Sequence, residues 1–310
     1  MKAAVCVGVA FVVLTGLAYS APQWLVFMAM LVLAKGIVVL GLLVLMRTGL
    51  VSFGQGLYFG IGAYAAALLS HHWYIGDGAL MLLAGAVAAG LTASILGLLL
   101  AGYRDIFFAM LSLAFSMILY GVLVKSAALG STDGFNLHAR AFLGFVPASG
   151  AERRVFLFAG GFCVVVASLL VHKLLGGHWG RVATAIRDNE LRVSYLGASP
   201  YRVVYVNYLI AGSLAGLGGA LAALAVGHVD PETAYWTTSG EFVFIAILGG
   251  TQSILAPFMA AAIFEALRTI ASQYVPNVWQ MSLGIAMLAI IMFLPAGLWS
   301  LAQRRRRSGK

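Results

Sequence analysis

An all-α fold that crosses a bilayer about eight to ten times is what the sequence predicts, and three observations predict it. Of the 310 residues, 62% are hydrophobic and only 9% charged, where soluble domains run at roughly 45–50% and about 25%. Mean hydropathy is +0.98. The apolar residues collect in runs, most of them the length of one tilted helix at roughly 20 residues per crossing. The 19 Lys and Arg and 10 Asp and Glu cannot clothe a soluble surface of this size, so lipid must cover much of the chain. No window between the runs is long enough for a soluble catalytic or nucleotide-binding domain, and 1–310 is expected to form a single transmembrane domain.

The elements follow in order. Ala3 to Tyr19, after Lys2, has two readings: a first span, or a signal peptide whose small residues precede Pro22. Apolar runs then lie near 24–46, 51–70, 79–102, 106–126, 155–175, 203–227, 239–273 and 280–301. Cys6 and Cys163 fall inside such runs, which points to neither a disulfide framework nor a cysteine metal site. Net charge is +9, yet the basic residues sit at run ends, and Arg304 to Arg307 form a basic tail over 303–310. That is the pattern of cytoplasmic anchoring and not of nucleic-acid binding. Lys173, Arg181, Arg187, Arg192 and Arg202 place 173–202 in the cytoplasm with that tail; loops 71–78, 228–238 and 274–279 lack Lys and Arg and go outside. Counting crossings back puts Arg104, Arg47 and Lys2 inside, so both termini are cytoplasmic, and leaves 127–152 outside despite Arg140.

Parity constrains 239–273, which begins and ends outside yet is too short for two spans of about 20 residues. Gly249-Gly250, then Thr251, Gln252, Ser253 and Pro257, mark a break, so a short re-entrant helix followed by a second helix is expected. Irregular backbone at membrane depth is tolerated only against protein or a water-filled path. A similar interruption runs from Thr48 to Gly56. Two Gly-interrupted segments in corresponding halves point to a transport pathway, with Ser52, Gly54, Gln55, Gly249, Gly250 and Thr251 as its candidate residues. The alternative is that the glycines permit close helix packing, as the spacing of Gly56, Gly60, Gly62 and Ala66 also allows. Gly212, Gly216 and Ala220 carry no polar partner and read as packing.

The most informative stretch is 180–198. Val182 and Ile186 stand one turn apart, Asp188 and Arg192 pair at i,i+4, and Gly197 and Pro200 mark the stop, so one helix from Arg181 to Leu196 is expected. It is too polar to span and too short to be a domain. An amphipathic helix there suits docking to another protein or lying on the bilayer surface, and Asp188 and Glu190, offsetting the arginines, favour the protein contact.

That segment, with Gly180-Arg181, Ile186-Arg187-Asp188-Asn189-Glu190 and Leu196-Gly197, resembles the ATPase-coupling loop of permease subunits of ATP-binding cassette importers for branched-chain amino acids, the LivM-like group. Ser52-Phe53-Gly54-Gln55 through Phe59-Gly60-Ile61-Gly62-Ala63-Tyr64 resembles the family's first motif. Phe108 to Ile118, Thr132-Asp133-Gly134 and Leu248-Gly249-Gly250 are similar to later ones, in the same order. The resemblance implies a type II-like importer permease in a bacterial inner membrane. It implies as partners two cytoplasmic ATPase subunits, a second homologous permease and an external substrate-binding protein, with ATP held by the partners and no cofactor here. Arg181, Ala185, Ile186, Arg187, Asp188, Asn189, Glu190 and Gly197 would then make the ATPase coupling. The chain departs from the family pattern at Leu42, near Arg47 and at Phe293-Leu294-Pro295, and carries Lys35 mid-span. Those departures concern the solute; urea and amides are alternatives to branched-chain amino acids.

No GxxxxGK[ST] occurs, so energy must come from a partner or a gradient. His71-His72 beside Trp73 and Tyr74 reads as an interfacial aromatic belt, without the further ligands a metal needs. Lys35, Glu265, Glu241 and Arg268 lie within or near apolar runs, where an unpaired charge costs at least about 2.5–3.5 kcal/mol. A structural Lys35 to Glu265 pair is expected, with Glu265 and Arg268 spaced to pair on one helical face. A gradient-driven secondary transporter or facilitator of a small neutral solute is the competing function; it would call for more intramembrane acidic or His relays than occur here. An integral membrane enzyme would need clustered polar catalytic residues on the spans, which the sequence does not offer.

Overall fold

The computed structural model describes residues 22–137, 141–146, 152–251, 253–274 and 276–293. The readings on Lys2, Ala3–Tyr19, Cys6, Arg140, Gln252, Leu294-Pro295 and the basic tail lie outside the described residues.

The apolar runs up to 227 become helices whose ends fall within a few residues of the expected ones, the run 239–273 becomes two, and the end expected near 301 lies outside the described residues. They are α1 (Gln23–Met46), α2 (Gln55–His72), α3 (Gly78–Leu100), α4 (Asp105–Lys125) and α5 (Glu152–Gly176). The polar segment forms α6 (His178–Asp188) and α7 (Glu190–Tyr195); then come α8 (Pro200–Val226), α9 (Trp236–Gly249), α10 (Ala256–Tyr274) and α11 (Trp279–Phe293). Two-residue strands β1 (Phe135–Asn136) and β2 (His228–Val229) pair antiparallel. Among the described residues five helices, α1, α3, α4, α5 and α8, are long and apolar enough to cross a membrane.

Local chemistry explains the boundaries. Asp77 caps α3 by accepting from the Ala79 N–H at 2.9 Å. Ser199 with Pro200 at the first helical position starts α8, and Gly227, at φ +76°, ends it. The bundle is organised around α8, which packs along α1, α2 and α3. Its small residues make that possible: a Cβ on Gly216 would overlap the methyl of Ala89 and the Gly85 carbonyl, so the helix axes approach more closely than any larger side chain permits. Gly212 meets Ala93 in the same seam, as the packing reading of Gly212, Gly216 and Ala220 requires.

The basic segments meet at one end of the bundle. Gly49, at φ +85°, lies against the Arg187 side chain, where a Cβ would come 3.2 Å from Cγ. Arg104, in the α3 to α4 turn, pairs with Glu190. At the opposite end β1 pairs with β2, and the Asp77 carboxylate accepts from the Leu143 and Gly144 N–H groups at 3.2 and 2.9 Å. Burial raises the Asp77 pKa, but the donors Gly144, Ala79, Leu143 and Leu80 outweigh it, and the carboxyl stands below its ordinary value.

Two corrections concern irregular backbone. The single helix expected from Arg181 to Leu196 is two, α6 and α7, broken at Asn189 (φ −162°, ψ 103°). Asn189 caps α7 by accepting from the Arg192 N–H at 2.9 Å, and no ion pair joins Asp188 to Arg192 among the described residues. The segment expected to turn back between 239 and 273 does so, with α9 and α10 separated at Gly250 to Leu255, but its irregularity begins earlier. After β2 a 3₁₀ turn, Pro231–Ala234, enters the bundle, and the Ala234 carbonyl accepts from Ser116 Oγ at 2.8 Å, about 16 Å along α4 from its start. So α9, 14 residues and about 21 Å long, begins at membrane depth.

Candidate functional site

The charges within the apolar runs converge. Lys35 of α1 donates through Nζ to Glu241 Oε2 of α9 at 2.8 Å, and the same Nζ stands 2.6 Å from Glu265 Oε1 of α10. Arg268, one turn beyond Glu265, places Nη1 3.6 Å from Glu241 Oε2 and 4.0 Å from Glu265 Oε1. The expected Lys35 to Glu265 pair is therefore present, and Glu241 shares the lysine. The cluster is neutral in sum. It joins α10 to α1 and to the half-helix α9, so charge pairing fastens the interrupted element to the bundle. Lys35 lies over the Phe264 ring at 5.0 Å and Arg268 over Trp279 at 5.4 Å. The side chains of Lys35 and Glu265 are 8% and 4% exposed, those of Glu241 and Arg268 21% and 39%.

The more exposed pair faces a cavity of about 470 Å³. Lys35, Glu241, Glu265 and Arg268 line it together with Phe27, Leu31, Phe59, Phe242 and Val226; His228, Asp230 and Glu232 stand on the side toward the strands. The size falls in the range of about 300–1,000 Å³ typical of ligand pockets.

The six expected pathway residues lie outside that lining and in two places. Around the first break, Ser52 Oγ accepts from the Gly54 N–H and Ser112 Oγ from the Phe53 N–H, each at 3.2 Å, and the Gly56 N–H donates to Ser239 Oγ at 2.9 Å. Thus the N-terminus of α2 meets that of α9. Gln55 is fully buried there, and neither its Oε1 nor its Nε2 has a hydrogen-bond partner. At the second break Gly249 packs on Ala256 and Ala260 of α10, Gly250 donates to the Ala246 carbonyl at 2.9 Å, and Thr251 is half-buried. The first break thus meets the start of α9 and the second its end.

The α6 and α7 pair is fixed from beneath. Ala183, Ile186 and Val193 are buried with Val203 of α8, and Trp179 Nε1 donates to Asn207 Oδ1 at 3.1 Å. Arg104 clamps Glu190 in two charge-assisted hydrogen bonds, Nε to Oε2 at 2.8 Å and Nη2 to Oε1 at 2.7 Å, while Nη1 donates to the carbonyls of Ala101 and Tyr103. Burial, and then the like charge of Arg187, lower the Arg47 pKa at this end. Of the expected coupling residues, Ile186 is buried in the anchor and Glu190 half-buried in the clamp; Arg181, Ala185, Arg187, Asp188, Asn189 and Gly197 are exposed. The sequence reading missed Leu191, Tyr195 and Leu196, which project from this face 71–89% exposed. The signal was present: three large apolar side chains in a segment otherwise too polar to span.

Residues 24–294 match the family described as branched-chain amino acid transport system / permease component. The high-affinity branched-chain amino acid transport system permease protein LivM of Salmonella typhimurium (strain LT2) is 29% identical over 288 residues, covering 85% of this chain and 67% of that protein. Its namesake in Escherichia coli (strain K12) is 29% identical over 274 residues, covering 81% of this chain and 64% of that protein. The chain spans about two thirds of the length of the curated relatives it matches. No solved structure matches it.

Proposed function

This chain belongs to the family of branched-chain amino acid transport permease components, and from that premise we propose that it is the membrane-spanning permease subunit of an ATP-binding cassette importer. It is a multi-pass membrane protein of a transport family, not of an enzyme family. The solute is a branched-chain amino acid, as in the names of its relatives, or a similar small solute, moved into the cytoplasm. The partners are two cytoplasmic ATPase subunits that hold the ATP, a second homologous permease and an external binding protein. The membrane is the bacterial inner membrane, with 173–202 and both termini on the cytoplasmic side.

One observation carries this reading: α6 and α7 are seated on the bundle by a buried apolar cluster and the Arg104 clamp, yet present exposed Leu191, Tyr195 and Leu196 away from it. A solvated linker needs neither the Arg104 clamp nor an apolar ridge. An ATPase bound to that ridge would push through Glu190 on Arg104 and the α3 to α4 turn, and through Arg187 on the turn before α2. The first turn continues into α4, whose Ser112 accepts from the Phe53 N–H, and the second belongs to the helix interruption around Ser52, Gly54 and Gln55, so both pushes reach the break that would shift when helices rock around a fixed site. Arg181, Ala185, Arg187, Asp188, Asn189 and Gly197 form the rest of the docking face, with Ile186 as its anchor; Gly249, Gly250 and Thr251 flex at the far end of α9.

A gradient-driven transporter remains the second reading, favoured by buried Glu265 and half-buried Glu241 within the apolar runs. Copurification separates the two. The ATPase should copurify with the wild-type chain and be lost about tenfold with Glu190→Arg, which sets two arginines together, and return with Arg104→Glu/Glu190→Arg. A chain that retains no ATPase in any form contradicts the importer reading.

A further inference from the structure

Lys35, Glu241, Glu265 and Arg268 are not equivalent, and the difference between them suggests a use. Lys35 and Glu265 are in 2.6 Å contact and nearly inaccessible. Arg268 is close to both carboxylates but bonded to neither, at 3.6 and 4.0 Å, and it is the most exposed of the four. Its guanidinium therefore keeps donors free for a planar anion while Trp279 holds it in place. Glu241 receives Lys35 on Oε2 alone. Both Arg268 and Glu241 border the 470 Å³ cavity, whose lining joins an apolar side of Phe27, Leu31 and Phe242 to the hydroxyl-bearing Thr238, Thr269 and Ser272.

We propose that this cavity is a solute subsite in which Arg268 takes the carboxylate and Glu241 the ammonium of a zwitterion, while Lys35 and Glu265 form the scaffold that holds them. The proposal rests on the permease reading above, since a path for the solute must exist for the site to serve it. Charge balance selects the ligand class. The four clustered groups are neutral together, and Asp230 and Glu232 add two carboxylates on the side toward the strands; these oppose a lone anion, while a lone cation that took Glu241 would leave Arg268 without a counter-charge. A zwitterion instead exchanges partners: its carboxylate replaces Glu241 at Arg268, and its ammonium replaces Arg268 at Glu241. An uncharged amide offers no replacement for either ion, and the apolar wall favours a solute with a hydrocarbon side chain over one without.

The test uses the full chain copurified with its partner subunits in lipid nanodiscs. Equilibrium binding is measured for L-leucine, for 3-methylbutylamine, which keeps only the ammonium, and for 4-methylpentanoate, which keeps only the carboxylate. L-leucine should bind, and each half-ligand at least about tenfold more weakly. Arg268→Gln and Glu241→Gln should each weaken L-leucine about tenfold or more. Ser272→Trp, at an exposed position bordering the cavity, should weaken all binding without altering the cluster, and it reads the site even where a charge variant fails to fold. Equal binding of the three probes, L-leucine affinity unchanged in folded Arg268→Gln, Glu241→Gln or Ser272→Trp, or no L-leucine binding to a complex that retains its ATPase would overturn the subsite. The last result leaves the permease reading standing, whereas loss of the ATPase from the wild-type complex would strike that reading instead.

Discussion

Removing Lys35 is the sharpest perturbation the structure offers. Its Nζ neutralises Glu265 at 2.6 Å and Glu241 at 2.8 Å, with side chains 4% and 21% exposed. In Lys35→Met the methionine fills much the same volume, but two carboxylates are left with Arg268 alone, at 3.6 and 4.0 Å and without a hydrogen bond. Breaking a buried ion pair from one side costs about 3–5 kcal/mol, because the survivor is stranded, whereas removing both partners together is often near neutral. Lys35→Met should therefore melt well below wild type, and Lys35→Met/Glu265→Gln should recover more than half the loss, with a coupling of at least about 1 kcal/mol in the double-mutant cycle. The assay is thermal unfolding of the purified chain in one detergent, checked by gel filtration for the native species. A Lys35→Met protein as stable as wild type, or a double variant no better than the sum of the singles, would refute a structural role. A Lys35→Ala chain that folds and assembles normally yet transports nothing would place the lysine in the solute path.

Two other outcomes follow from packing and from the Asp77 cap. Gly216→Leu drives a side chain into Ala89 and the Gly85 carbonyl, so it should cost more than the about 1–3 kcal/mol of ordinary overpacking and leave little monodisperse protein on gel filtration, while Gly284→Ala, with open space around it, should not. Asp77 has a lowered pKa in the folded chain, so the unfolded chain binds its proton first as pH falls. Its contribution is complete above the unfolded value of about 3.9 and disappears as pH falls through the lower folded value. Thermal stability followed into acid should fall in that window for wild type and show a shallower fall for Asp77→Ala, which also loses about 1 kcal/mol at neutral pH with the cap.

How much of this was legible in the sequence depends on whether the cause was local. The helices were, because lipid forces apolar runs of fixed length and the glycines interrupt them. The break at Gly249-Gly250 was, because parity left no room for two spans. Lys35 announced a partner for the same reason: a buried lysine cannot stand alone, and Glu265 was the plainest acid within a run. That Glu241 shares it was not legible, since α9 reaches α1 only after the 3₁₀ turn at Pro231–Ala234 has carried the chain into the bundle. That turn lies in a polar stretch that reads as an external loop, and what holds it inside is a distant hydroxyl, Ser116. Asn189 is the opposite case. The i,i+4 pattern of Asp188 and Arg192 argued for one helix, but asparagine is a strong N-cap, and the residue itself carried the signal for a second. The cavity was out of reach of any pattern, because its wall draws side chains from α1, α2, α8, α9 and α10.

If ATP on partner subunits drives solute through this chain, uptake in proteoliposomes will show it. The chain, its partner permease, the ATPases and the binding protein are reconstituted, with radiolabelled L-leucine outside and ATP inside. Uptake should require enclosed ATP, persist when a protonophore collapses the proton gradient, and fall about tenfold or more with Glu190→Arg. Uptake that proceeds without ATP and stops with the protonophore would contradict the account.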